Sequence, residues 1–257
     1  MRIALAQLSS GDNWRINLCK IEALIASAAR KKAKAILFPE YCFYRGDLCS
    51  LRTISREIHR ALPWAALSDL AKQHGIAILL GGVPEFQRGS KKVFNTAIWI
   101  DERGKILARY RKIHLFDATV GGKRYRESKY FLPGARPVVF RWNGIKIGIA
   151  ICYDLRFPEQ FRKMAKSGAD WILLPSAFTR KNGEAHWHTL LRARAIENLA
   201  TVLAPAQTGG DTFGHSAIFG PWGEALLRTG RKPGLFFADV DPSAGRALRR
   251  RFPFLKG

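Results

Sequence analysis

A cysteine stands where an apolar run stops in Gly148–Glu159, GIAICYDLRFPE. Ile145–Ile151 reads as a buried strand and Phe157–Met164 as the helix after it, so Cys152 falls in the turn between them. Such a turn lifts a side chain out of a sheet and aims the following backbone N–H groups at it, which suits a nucleophile and the oxyanion it creates. A buried structural thiol is the plain alternative. A catalytic thiol needs a base, and its tetrahedral intermediate needs a positive partner. The histidines are His59, His74, His114, His186, His188 and His215, and spacing marks none of them as that base. Two other strand ends carry suitable groups. Ala35–Phe38 runs into Pro39-Glu40, and Ile106–Tyr110 runs into Arg111-Lys112. Glu40 could take the thiol proton and Lys112 could stabilise charge. Each could equally be a surface charge at a strand end, and spacing alone does not bring the three together.

The elements that must position these groups are legible as apolar runs. Strands are expected at Ile3–Leu8, Ala35–Phe38, Ile76–Gly81, Val93–Ile100, Ile106–Tyr110, Val138–Trp142, Ile145–Ile151, Trp171–Leu174, Thr201–Pro205, His215–Phe219, Ala225–Leu227 and Gly234–Val240. Helical periodicity covers Asn13–Ala33, Trp64–Gln73, Pro158–Lys166 and Glu184–Leu199, the last with Trp187, Leu190, Leu191 and Ala195 on one stripe. Hairpin signals stand at Asp101–Gly104, Asn143-Gly144 and Pro221–Gly223. Strands alternating with helices, interrupted by hairpins, imply mixed sheets covered by helices. Periodicity leaves open whether there is one sheet or two.

The chain has 257 residues, of which 47% are hydrophobic, enough for one large domain with a substantial core. No linker, repeat or composition shift divides it, so a single domain over 1–257 is expected. No apolar run reaches the ~18 residues of a membrane span, and the start reads as a strand, not a signal peptide. A cytoplasmic protein with free thiols at Cys19, Cys42, Cys49 and Cys152 is expected. No CxxC or His/Cys spacing suggests a metal. Lys and Arg number 43 against 20 Asp and Glu, a net charge of +23, which favours anionic partners. The charge is spread along the chain without a nucleic-acid motif, so nucleic acid is not the expected partner.

LFPEYCFY, RYRKIHLF and GIAICYDLRFPE, in this order and separation, resemble the nitrilase superfamily of carbon–nitrogen hydrolases. The resemblance runs from IALAQL to GLFFADVD. It implies an α/β fold, a four-layer αββα sandwich of two mixed β-sheets, usually joined as a homodimer or a higher even oligomer. It also implies a Glu–Lys–Cys triad at Glu40, Lys112 and Cys152, a second glutamate at Glu127, an oxyanion donor in the Tyr153 N–H, and no cofactor. The expected partner is a small-molecule amide. The continuation Tyr153–Glu159 and the segments GEAHWHTLLRARAIEN and FGHSAIFGPWGE resemble the amidase branch that acts on deaminated glutathione, with the ω-amidases beside it. Between Gln207 and Gly214 this chain is shorter than that branch, which bears on the leaving group. A substrate carboxylate calls for a cationic clamp. Arg156 is the candidate, unless it pairs with Asp154 or Glu159. Phe178, Thr179 and Tyr44 are candidate walls.

Overall fold

The computed structural model describes residues 1–61, 64–253 and 255. Fifteen strands are β1 (Arg2–Gln7), β2 (Ala35–Leu37), β3 (Ala77–Glu85), β4 (Val93–Ile100), β5 (Ile106–Arg111), β6 (Asp117–Val120), β7 (Lys123–Arg126), β8 (Phe131–Leu132), β9 (Val138–Trp142), β10 (Ile145–Ile149), β11 (Trp171–Leu173), β12 (Thr201–Ala204), β13 (Ala217–Phe219), β14 (Ala225–Arg228) and β15 (Gly234–Asp239). Among the described residues six α-helices are α1 (Trp14–Arg30), α2 (Leu51–Ala61), α3 (Trp64–His74), α4 (Pro158–Lys166), α5 (Arg180–Asn198) and α6 (Ala244–Arg251).

Two mixed sheets answer the question that periodicity left open. One runs β15-β1-β2-β3-β4-β5, with β8 added to β4; the other runs β14-β13-β12-β11-β10-β9. Each has three parallel strands at its centre, β1–β2–β3 and β10–β11–β12, flanked by antiparallel ones. Strand alternation then sorts the core. Ile3 and Leu5 face inward with Trp99 and Tyr110 toward Ile147, Ile149 and Trp171 of the second sheet. Ala4 and Ala6 face the other way, against Ile21, Ile25 and Ala28 of α1. Phe161 and Met164 of α4, with Trp187, Leu191 and Ala195 of α5, cover the far side of the second sheet. The order is helix, sheet, sheet, helix, the four-layer sandwich that the family resemblance implies.

Five elements depart from the sequence reading: α2, α6, β6, β7 and the two-residue β8. α2 buries only Leu51, Ser55 and Ile58, too thin a stripe to read. α6 buries only Gly245; Arg246 and Arg249 hold it by ion pairs of 2.5 Å to Asp170. Within the run Arg249–Arg251, Arg249 therefore serves the fold. The β6–β7 hairpin is mostly polar and turns on Gly121-Gly122, both at positive φ, as a tight two-residue turn requires. Among the described residues no helix is long and apolar enough to cross a membrane.

Candidate active site

Glu40 follows β2, Lys112 follows β5, Cys152 follows β10, and Ala177 to Thr179 follow β11. β2, β10 and β11 lie in the parallel part of their sheets, where strand ends open on a common crevice. Room for the Glu40 turn comes from an irregularity in β3. The register shifts between Leu80 and Val83, and Gly82 has φ +61. A Cβ there would sit 2.6 Å from the Tyr41 nitrogen and 2.8 Å from Glu40 Cγ. Tyr41 and Cys152 themselves adopt φ of 59° and 48°. Non-glycine residues take such angles at a cost of roughly 1–3 kcal/mol, so the surrounding packing must impose them.

The charged groups converge. Lys112 Nζ donates to Glu40 Oε1 at 2.9 Å and to both oxygens of Glu127 at 2.9 and 2.8 Å. All three residues are buried. Asn95 Nδ2 donates to Glu40 Oε1 at 2.9 Å and to Glu127 Oε1 at 3.3 Å. The Tyr41 hydroxyl and the Phe116 N–H complete the shell of Glu127, at 2.8 and 2.6 Å. Glu40 Oε2 has no hydrogen bond of full geometry among the described residues. The Cys152 thiol lies close enough to that carboxylate to shift its proton affinity.

Burial, the Lys112 charge and Glu127 act on Glu40 in that order, and burial wins, raising its carboxyl above the ordinary 4.5. Burial and then the Glu40 charge push the Cys152 thiol well above 9.0, against the opposing pull of Lys112. Burial alone would lower Lys112, but Glu127, Glu40 and Cys152 more than offset it and hold the ammonium charged. The surroundings thus favour a protonated thiol beside a fixed cation. A thiol in that state needs a neighbouring base.

A second network locks the turn. Asp154, fully buried, accepts from the Ile151 N–H at 2.8 Å, the Tyr110 hydroxyl at 2.6 Å and the His114 N–H at 3.0 Å, and meets His114 Nδ1 at 2.7 Å. One carboxylate so joins the Cys152 turn to β5 and to the segment after Lys112. His114 also stacks on Phe157 at 3.6 Å. Asp154 is therefore engaged elsewhere, and Arg156 pairs with neither Asp154 nor Glu159. Its guanidinium contacts His186 Nδ1 at 3.2 Å and lies 5.9 Å from the Tyr153 and Phe178 rings.

Glu40, Lys112, Glu127, Cys152, Tyr44 and Thr179 all line one cavity of about 600 Å³. Tyr153, Arg156 and Phe178 do not. They line a small recess that shares Phe116, Cys152, Ala177 and Thr179 with the main cavity. Phe178 is buried against Trp187, ring centroids 4.9 Å apart, so its packing role is the larger one. The Thr179 hydroxyl is buried without a partner among the described residues. Asp211 and Thr212 of the short 208–213 segment line the cavity, and Asp211 pairs with Arg45 at 2.8 Å. Asn95 and the β6–β7 hairpin escaped the sequence reading. For Asn95 a signal existed, an amide in the apolar run VFNTAIWI.

A buried carboxylate, a fixed ammonium and a thiol on a strained turn thus meet on one cavity of an αββα sandwich. The carbon-nitrogen hydrolase family matches residues 2–250, and the chain belongs to that family. It is 39% identical over 265 residues to a deaminated glutathione amidase of Synechocystis, covering 98% of this chain and 96% of the relative. It is 33% identical over 264 residues to an omega-amidase of Danio rerio, covering 99% and 93%. Among solved structures it is similar to an amidase from Nesterenkonia, a glutamate-to-glutamine variant showing Michael addition of acrylamide at the active-site cysteine. That match has a TM-score of 0.83 and 28% identity, over 99% of this chain and 98% of that one. The chain is a carbon–nitrogen hydrolase of the amidase type.

Proposed function

We propose that the chain works as one catalytic domain that hydrolyses the C–N bond of a small carboxylate-bearing amide through a thioester on Cys152. Glu40 takes the thiol proton as Sγ bonds to the amide carbon. The carbonyl electron pair moves onto oxygen, held by Lys112 Nζ and the Tyr153 N–H. The C–N bond then breaks as Glu40 returns the proton to the leaving amine. Water attacks the thioester with Glu40 again as base, releasing a carboxylic acid and restoring the thiol. Glu127 acts by holding Lys112 in place. The observation that carries this reading is the buried Glu40–Lys112–Glu127 chain meeting Cys152 on a single cavity.

We propose deaminated glutathione as the substrate, supported by the likeness to the deaminated glutathione amidase, with Arg156 and Thr179 as binding groups for the acyl end. A short ω-amide that releases ammonia is the second reading, supported by the likeness to the omega-amidase. We place the enzyme in the cytoplasm as a homodimer. A panel measuring amine or ammonia release from ω-amides, 2-oxo acid amides, nitriles and N-carbamoyl compounds tests the proposal. Turnover confined to the 2-oxo acid amides is expected. Turnover of nitriles or carbamoyl compounds alone would overturn it.

A further inference from the structure

The cavity mouth carries four cations that the reaction above does not use. Lys123, Arg124 and Arg126 lie on the β6–β7 hairpin and Lys129 just after it; all are exposed, and all line the cavity that holds Cys152. None forms an ion pair among the described residues. The carboxylates lining the same cavity are Glu40, Asp47, Glu127 and Asp211. Asp211 is matched by Arg45, and Lys112 is shared by Glu40 and Glu127. Asp47 accepts the Cys49 N–H at 3.0 Å. The cavity therefore carries unpaired cations at its mouth, while its buried carboxyl groups share Lys112.

The hairpin is fixed relative to the chemistry. β7 runs directly into Glu127, whose N–H donates to the Phe116 carbonyl at 3.2 Å. The Phe116 ring packs against Tyr125 of the hairpin at 5.1 Å and against Tyr153 at 5.0 Å. Arg156 lines the adjoining recess and not this cavity, and Phe116, Cys152, Ala177 and Thr179 line both. A substrate whose amide carbon meets Cys152 would leave its amine end free to reach the mouth of the cavity.

We infer that Lys123, Arg124 and Arg126 are specificity-determining residues that select amides whose leaving amine carries a carboxylate. This rests on the amidase reading. It separates two leaving groups that share an acyl group, since ammonia offers the hairpin nothing to hold. The test uses one acyl group, 2-oxoglutaryl linked through its distal carboxyl, with glycine, glycinamide or ammonia as the amine. Glycine and glycinamide differ chiefly by one negative charge.

At low ionic strength kcat/KM should favour glycine over glycinamide by about tenfold, the scale of two or three exposed charge pairs. The ratio should shrink toward one as salt is raised. In a Lys123→Gln, Arg124→Gln, Arg126→Gln variant the ratio should fall about tenfold. A wild-type ratio near one, a ratio indifferent to salt, or a ratio the triple variant leaves intact would overturn the inference while leaving the amidase reading standing. The salt series needs only the wild-type protein, so it remains decisive if the variant fails to fold. Failure to cleave any of the three amides would instead remove the amidase reading and the inference with it.

Discussion

In the proposed mechanism the chemistry turns on Lys112, which serves two buried carboxylates at once. Breaking a buried ion pair by removing one partner costs about 3–5 kcal/mol, so truncation would confound activity with folding. Lys112→Arg keeps the charge but replaces a compact ammonium by a planar fork. The hydrogen bonds of 2.8–2.9 Å to Glu40 and Glu127 leave no space for that fork in the same place. We expect kcat to fall roughly 10²–10³-fold, the scale of losing one oxyanion donor. Near-normal turnover by a folded Lys112→Arg protein would refute the oxyanion role.

The pH profile tests Glu40. Its carboxyl is raised above 4.5, and only the ionised form can accept the thiol proton. On the acid side kcat/KM should therefore rise with pH through an apparent value above 4.5, one that belongs to the coupled set and not to Glu40 alone. Lys112 is held charged well above 10.5, so its loss of charge should cause no fall near neutrality. An acid limb centred below 4.5 would contradict Glu40 as the base.

The turn after β10 depends on one side chain that takes no part in the proposed reaction. Asp154 satisfies donors from Ile151, Tyr110 and His114 together. Asp154→Asn keeps the shape but offers an NH₂ where two donors converge, leaving at least one buried donor unpaired at about 1–3 kcal/mol. The variant should melt lower and lose kcat with little change in KM, because it loosens the Cys152 turn and not the cavity. Unchanged kcat alongside a lowered melting temperature would show that Asp154 supports folding only.

Elements with apolar stripes were legible in the sequence, and elements held by polar contacts were not. The Glu184–Leu199 stripe appears as α5, which starts earlier, at Arg180. α6, tied down through arginines to Asp170, left no periodic signature. The candidate site shows the same division. Cys152, Glu40 and Lys112 stand at strand ends, where apolar runs stop, and that change of character is readable. Their convergence is not, because it depends on how two sheets stack. Asn95 points into the site from within β4, and its role follows from the Glu40 and Glu127 oxygens it meets, which no local pattern encodes.

Assembly belongs to the whole molecule. A net charge of +23 repels a second copy, and net charge can keep a protein monomeric. At ~0.15 M salt the Debye length is about 8 Å, so most of that repulsion is screened. Apolar side chains remain exposed on one side of the sandwich: Ile196 of α5 lies against Gly223, and Trp222 packs on Phe252 at 5.2 Å. We expect a dimer at physiological salt that weakens as salt is lowered. Light scattering at two ionic strengths checks this, and a mass near 28.9 kDa at both would reject it.

The central claim is that Cys152 carries the acyl group. The chain offers three competing thiols: Cys42 is buried, with its pKa pushed up to about 12 mainly by burial, while Cys19 and Cys49 are exposed. Mass spectrometry of protein quenched during turnover of a 2-oxo acid amide distinguishes them. The account predicts an added acyl mass on the peptide containing Cys152, and none in a Cys152→Ala protein that remains folded and inactive. An adduct on Cys19, Cys42 or Cys49, or amide turnover by Cys152→Ala, would contradict it.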